Sequence, residues 1–367
     1  MKIGILTSSR ADYGIYLPLL EKLKKDTFFS LEIIAFGTHL SKNHGYTLTV
    51  IENDGYHCVH KLSSIISNDD EQAIASSYGL TILKFTDFWQ NHKYDLVFCL
   101  GDRFEMNAAV QAGIPFGVRF AHIHGGETTL GAIDNVYRHQ ISLASILHFT
   151  ATDIFKEKVI ELIGSSKGVF VVGSLSLDAI TLFIPTEKKL FLETFKIPIE
   201  DFALVTFHPE TIALQDNVTF ANEMRNALAK ISQKLFVIIT MPNADTQGSV
   251  YREAIQNLKN ELPNRILLVE NFGKQNYFSA MTYAKVLIGN TSSGILEAAS
   301  FRKYVVNVGD RQKGRAQNNN VLNCKFEEKA IVSAANEAIE LNKYEGENIY
   351  FREGVANNII KITKAFL

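Results

Sequence analysis

The sequence predicts an α/β fold: two Rossmann-like, doubly wound domains facing a cleft. Three observations carry this. Short runs rich in β-branched and aromatic residues alternate with longer amphipathic segments. The runs are continuously apolar, as expected of parallel strands covered on both faces. The strand–helix alternation occurs twice along the chain, with a seam near residues 173–185.

Taken in order, the strand-like runs of the first half are residues 3–7, 31–36, 96–100, 116–122, 147–151 and 169–172. Those of the second half are 203–207, 235–240, 266–269, 286–289 and 304–308. Between them, Tyr16, Leu19, Leu20 and Leu23 fall at helical spacing, and residues 74–89 and 220–231 continue that periodicity for longer. Residues 1–175 are expected to form the first domain and 176–352 the second. A final helix, about 353–367, is expected to return and pack on the first.

A chain of 367 residues is too long for one ordinary core at ~150 residues per domain. Apolar residues make up 46% and charged residues 21%, a globular balance. The formal charge of -2 points to neither nucleic acid nor anionic membrane as a partner, so any anion must be held by local geometry. Cys58, Cys99 and Cys324 form no C-x-x-C pair, which argues against a zinc site or a disulfide framework and fits a reducing, cytoplasmic setting. The opening MKIGILTSSR has too short an apolar part for a signal peptide, and no run approaches the ~18 apolar residues of a membrane helix.

Ligands of open parallel sheets bind beyond the carboxyl ends of the strands. In this chain the polar residues gather there: Ser8 to Asp12, Gly37-Thr38-His39, Gly101 to Glu105 and His122 to Glu127 in the first half. In the second half they are His208-Pro209-Glu210, Gly289 to Gly294 and Gly309-Asp310-Arg311. Gly289-Asn290-Thr291-Ser292-Ser293-Gly294 leads into a helix, and free N–H groups and hydroxyls at a helix start suit a phosphate. Glu297 lies one turn beyond Ser293, where it can bond ribose hydroxyls or simply favour the helix dipole. No Gly-Lys-Ser/Thr follows, so this is no Walker A loop.

Arg10, Arg311 and Arg315 sit in small-residue loops after strands, where a guanidinium fork suits a diphosphate and a solvated arginine is equally at home. Asp102, Glu127 and Asp134, with His122 and His124, form a group fit for acid–base work. Their spacing matches no metal-ligand pattern. His122 also reads as a core histidine and Asp134 as a helix cap.

Together these segments resemble the hydrolysing UDP-N-acetylglucosamine 2-epimerase family. The likeness rests on Ser9-Arg10-Ala11-Asp12-Tyr13, Gly101-Asp102-Arg103-Phe104-Glu105, His122-Ile123-His124-Gly125-Gly126-Glu127 and Ala132-Ile133-Asp134-Asn135-Val136-Tyr137-Arg138-His139. It continues through Phe207-His208-Pro209-Glu210, Gly289 to Gly294 with Glu297, and Gly309-Asp310-Arg311-Gln312-Lys313-Gly314-Arg315.

The resemblance implies the two-domain GT-B fold and an elimination of nucleoside diphosphate from C1 with loss of the C2 proton. The resulting 2-acetamidoglycal is then hydrated to the free C2-inverted sugar. For UDP-N-acetylglucosamine the products would be N-acetylmannosamine and UDP, a step of sialic-acid-type biosynthesis. It further implies acid–base roles for Asp102, Glu127 and Asp134, and His208 beside the diphosphate. Substrate contacts are implied for Arg10, His39, Arg103, His122, His124, Phe272 (near the uracil), Ser292, Ser293, Glu297, Arg311 and Arg315. No cofactor is demanded, and a homodimer or homotetramer is implied.

Ile15 stands where some relatives have a lysine, and His-Ile-His-Gly-Gly-Glu replaces the His-Val-Glu-Ala-Gly type of the non-hydrolysing branch. Sister enzymes share these motifs and act on UDP- or GDP-N,N'-diacetylbacillosamine in legionaminic-acid pathways. A GT-B glycosyltransferase and a non-catalytic nucleotide-sugar sensor are the other classes. A sensor would have no need of Asp102 and Asp134.

Overall fold

The computed structural model describes the chain except residues 57–58, 69, 131–132, 179, 199–200, 211–213, 243–246 and 367. It divides into two compact units. One comprises Met1–Glu127, Asp134–Ala179 and Tyr350–Leu367, the other Thr128–Ile133 and Ile180–Ile349.

The first unit is built on β1 (Lys2–Thr7), β2 (Ser30–Phe36), β3 (Val59–Leu62), β4 (Leu96–Leu100), β5 (Phe120–Ile123), β6 (Ser145–Thr150) and β7 (Val169–Val171). They form one sheet in the order β3-β2-β1-β4-β5-β6-β7, every pair parallel. The second unit carries β8 (Phe202–Thr206), β9 (Phe236–Thr240), β10 (Ile266–Val269), β11 (Val286–Gly289), β12 (Val305–Val308) and β13 (Val321–Cys324). Their order is β10-β9-β8-β11-β12-β13, again parallel throughout. Both orders are doubly wound, so each sheet has a switch point where the chain changes direction: β1/β4 in one unit and β8/β11 in the other. The expected fold class of two Rossmann-like α/β domains is therefore present.

Each sheet is covered on both faces. In the first unit Ile3, Ile5, Phe98 and Phe149 pack in one buried cluster, and Leu6, Val97, Cys99 and Phe120 in another. In the second, Ala203, Val205, Val237 and Ile239 face one cluster, and Phe202, Leu204, Phe236 and Ile238 the other. This explains why the central strands are apolar at most positions on both faces.

The helix Arg10–Lys25 begins in a capping box, with Ser9 and Asp12 each satisfying the other's backbone N–H. It buries Tyr16, Leu19, Leu20 and Leu23. The final helix, Val355–Phe366, packs against it through Val355, Ala356 and Ile359. Lys364 meets Asp26 at 2.6 Å beside this contact.

Two features differ from expectation. The run 116–122 enters the sheet only at Phe120, because Ile114–Phe116 is a 3-10 turn closed by Gly117 at φ 66°. Edge strands β3 and β13 are additional; each has one face toward solvent and no fully buried residue, hence no continuous apolar run. Among the described residues no helix is long and apolar enough to cross a membrane, and no group of three His, Cys, Asp or Glu is placed to hold a metal ion.

Candidate active site

In the first unit the predicted residues gather at the carboxyl ends of β1, β4 and β5. Gly101 ends β4 in a left-handed turn, φ 75°, and hands the chain to Asp102. His122, in β5, is fully buried, and burial pushes its imidazole down to about 3, so the ring is neutral. Its Nε2 lies 2.8 Å from the Gly101 carbonyl, which can only accept. The single ring proton is therefore on Nε2, and Nδ1 accepts from the Ser142 hydroxyl at 2.9 Å. His122 is thus the core histidine of the two sequence readings, and both ring nitrogens serve the protein.

Two residues on, His124 adopts φ 67° and sets its Nδ1 2.6 Å from Glu127 Oε1. Its buried Nε2 has no partner, which places the proton on Nδ1, donating to the carboxylate. Glu127 is 2% exposed. A side chain at Gly126 would come within 2.2 Å of the Phe155 carbonyl, so the turn between His124 and Glu127 requires glycine there.

Asp134 opens the helix Asp134–Leu143, and Arg138 follows one turn later. The buried Arg138 guanidinium donates from Nη2 to Asp102 Oδ2 and from Nη1 to the Glu127 carbonyl at 2.5 Å. Arg138 thereby joins the Asp102 carboxylate to the backbone of Glu127. Arg103 makes a two-pronged pair with the buried Glu105, at 3.1 and 3.0 Å. That pairing ties one edge of its guanidinium to the protein itself.

Arg10 is the first residue of its helix and partly exposed. Asp12 accepts from the Thr7 hydroxyl at 2.6 Å and from Ser8 N–H at 2.8 Å. Since Thr7 gives its proton to Asp12, His39 Nε2–H donates to Thr7 at 2.9 Å. Burial raises the Asp12 carboxyl, but His39, through hydrogen bonding and charge, and then Thr7 and Ser8 outweigh it and hold it below the usual range. His39 is fully buried and its Nδ1 contacts Thr47 at 2.8 Å. The structure thus makes His39 a brace of the β1 loop, with both ring nitrogens against threonine hydroxyls.

In the second unit the predicted residues gather at the carboxyl ends of β8 and β11. Asn290, fully buried just after β11, reaches across to the end of β8. Its Oδ1 accepts from His208 N–H at 2.7 Å, and its Nδ2 donates to the His208 carbonyl at 2.8 Å. This pair sets the backbone of His208. The Asn290 carbonyl accepts from Gln312 at 2.9 Å, which ties in the basic loop.

Ser292–Leu296 is a single helical turn that runs on into a 3-10 turn, Ala298–Phe301, shorter than the sequence suggested. The hydroxyls of Ser292 and Ser293 are partly exposed, and Ser293 Oγ donates to Glu297 Oε2 at 2.5 Å. Gly294 lets this turn sit on the sheet, since a side chain there would come within 2.9 Å of Val305. Tyr277 stands beside this group; burial first, then the Glu297 charge, push its phenol up to about 12, against the opposing effect of the Ser293 and Thr206 hydroxyls.

Glu210, buried after His208, accepts from Asp310 N–H at 2.8 Å and so anchors the loop that carries Arg311 and the buried Arg315. Burial raises its carboxyl above the usual range. The Phe272 ring is 6% exposed and packs edge-on to Phe195, with ring centroids 4.7 Å apart, within an apolar cluster.

Sequence reading missed Arg138, Asn290, Glu210, Gln312 and Tyr277 as organisers of these groups. Arg138 and Asn290 lay inside motifs already singled out, so placement beside a candidate carboxylate or serine was the available signal.

The family model for UDP-N-acetylglucosamine 2-epimerase matches residues 21–364. The GDP/UDP-N,N'-diacetylbacillosamine 2-epimerase (hydrolyzing) of Campylobacter jejuni is 34% identical over 324 residues, which cover 88% of this chain and 83% of that one. The polysialic acid biosynthesis protein P7 of Escherichia coli is 32% identical over 371 residues, covering 100% of this chain and 94% of its own. Among solved structures, the UDP-GlcNAc 2-epimerase of Neisseria meningitidis bound to UDP-GlcNAc shares the fold, with a TM-score of 0.82 at 18% identity over the whole of both chains. With a family match that runs from the first helix to the last, this chain belongs to the UDP-N-acetylglucosamine 2-epimerase family.

Proposed function

We propose that this protein is a hydrolysing nucleotide-sugar 2-epimerase that converts UDP-N-acetylglucosamine and water to N-acetylmannosamine and UDP. The observation that carries the reading is the separation of chemistry between the units. At the strand ends of the first unit Arg138 joins the Asp102 carboxylate to the Glu127 backbone, with Asp134 one turn before it on the same helix; at those of the second stand the Ser293 hydroxyl with Glu297, and His208. The first set suits proton transfer, the second a nucleoside diphosphate.

In the first step a carboxylate of the Asp102, Glu127 and Asp134 group takes the C2 proton. The C1–O bond breaks and UDP departs with the electron pair, leaving the 2-acetamidoglycal. The C2 proton is weakly acidic, so departure of the diphosphate must assist its removal. Arg10, Arg311, Arg315, His208, Ser292 and Ser293 are assigned to the charge that grows on the phosphates, and Glu297 to the ribose hydroxyls. In the second step water adds its hydroxyl to C1 and gives its remaining proton to an ionised carboxylate of the group, while a protonated carboxyl delivers a proton to C2 from the opposite face. Glu127, which accepts from His124, is assigned to this exchange.

A second reading keeps the reaction and changes the sugar to UDP- or GDP-N,N'-diacetylbacillosamine. The Campylobacter relative at 34% identity favours it. Incubation of the purified chain with each nucleotide sugar, without any acceptor, tests both. Release of free 2-epimerised sugar and nucleoside diphosphate from one of them assigns the substrate. Transfer only when an acceptor is added would replace the epimerase by a glycosyltransferase.

A further inference from the structure

The helix Asp134–Leu143 presents polar groups inward at a regular interval. Asp134, Arg138 and Ser142 stand four residues apart, on one face. Arg138 and Ser142 are buried, at 2% and 0% exposure, where an uncompensated charge or hydroxyl is costly. Such residues in a helix interior call for a purpose beyond packing. Both grip the same short segment. Arg138 holds the Asp102 carboxylate by one guanidinium nitrogen and the Glu127 carbonyl by another. Ser142 holds His122, and His122 holds the Gly101 carbonyl, one residue before Asp102.

The geometry points to Arg138 as the positioning residue of the reaction, locking Asp102 and Glu127 at a set separation by a single planar fork. This rests on the epimerase reading above. Asp102 follows a left-handed glycine, and its side chain keeps 24% of its surface exposed. A carboxylate so placed has several rotamers open to it. With Oδ2 held by Arg138, Oδ1 is left for substrate, and its direction is fixed before substrate arrives. Glu127 is held through its carbonyl, while its carboxylate engages His124. Lysine cannot reproduce this: one ammonium on a flexible stem cannot hold two acceptors in one plane.

The test is the kinetics of full-length Arg138→Lys and Ser142→Ala beside the wild-type protein, on the nucleotide sugar that the wild type turns over. Misplacement of a reacting group by about 1 Å costs about 100-fold, so kcat of Arg138→Lys should fall by about that factor. Its KM and UDP affinity should stay within about twofold, since the nucleotide is held elsewhere. Ser142→Ala loosens only the Gly101 carbonyl, and kcat should fall by about 10-fold with the same unchanged KM. In Arg138→Gly, added guanidinium ion should restore part of the lost kcat, which a merely structural role would not show.

Wild-type kcat in folded Arg138→Lys overturns the proposal. So does a loss that falls equally on UDP affinity and thermal stability with no rescue by guanidinium. Should Arg138→Lys not fold, unchanged kcat in Ser142→Ala is decisive against it. No turnover by the wild type on any nucleotide sugar overturns the epimerase reading itself, and this inference with it.

Discussion

Asn290→Asp exchanges one NH2 for an oxygen and leaves the size of the side chain unchanged. In the native protein Asn290 Nδ2 donates to the His208 carbonyl at 2.8 Å, and Oδ1 accepts from His208 N–H at 2.7 Å. The variant keeps the second bond and turns the first into an oxygen facing an oxygen, at a fully buried site. A buried carbonyl left unsatisfied costs about 1–3 kcal/mol, and the desolvated charge adds to it, so about 3–5 kcal/mol should be lost at neutral pH. For a unit of this size that lowers the unfolding midpoint by about 10 °C.

The loss must also depend on pH. A protonated carboxyl can donate to the His208 carbonyl, so the folded variant favours the neutral acid and its pKa rises above the unfolded ~3.9. The folded state then binds more protons than the unfolded one. The variant is closest to wild type in acid and loses ground as pH rises through the folded pKa. Urea unfolding of both proteins at pH 5 and pH 7.5, read as a difference, measures this, and calorimetry with UDP reads the accompanying displacement of His208. A variant as stable as wild type at pH 7.5, or a deficit that widens in acid, refutes the clamp.

Three further outcomes are expected. Glu297→Gln keeps a hydrogen-bonding side chain beside Ser293 but removes the charge, and UDP affinity by calorimetry should fall about 10-fold, or 1.4 kcal/mol; equal affinity would remove Glu297 from the nucleotide site. Asp102→Asn should lose about 1,000-fold in kcat with UDP affinity retained, and a variant with more than a tenth of wild-type kcat would take Asp102 out of the acid–base group. His122, buried neutral with its pKa near 3, binds fewer protons folded than unfolded below the unfolded value of ~6.5. Its contribution is therefore intact above that value and lost as pH falls toward 3, about 2 kcal/mol of it by pH 5. Unfolding of wild type and His122→Asn at pH 7 and pH 5 checks this, and an identical pH slope in the two contradicts it.

The central strands and the fold class were legible because a strand buried on both faces leaves a continuous apolar run, as Leu96–Leu100 does. Val59–Leu62 leaves no such trace, because none of its residues is fully buried and no apolar run is needed. The chemistry at strand ends was legible for the same topological reason that polar residues cannot persist within those strands. Pairings across the chain were not. Arg138 and Asp102 are 36 residues apart, and Asn290 and His208 are 82 apart. The pairing of Arg103 with Glu105 was equally hidden, as was the packing of Phe272, since only the folded chain brings Phe191 and Phe195 against it.

The most direct test of the account is proton NMR of the purified protein with UDP-N-acetylglucosamine in deuterated water, without acceptor. The account predicts UDP and free N-acetylmannosamine that carries deuterium at C2, since the C2 proton is surrendered to a carboxylate and replaced from solvent. Free N-acetylglucosamine with its C2 proton retained would show plain hydrolysis, and would contradict the elimination on which the roles of Asp102, Glu127 and Asp134 depend.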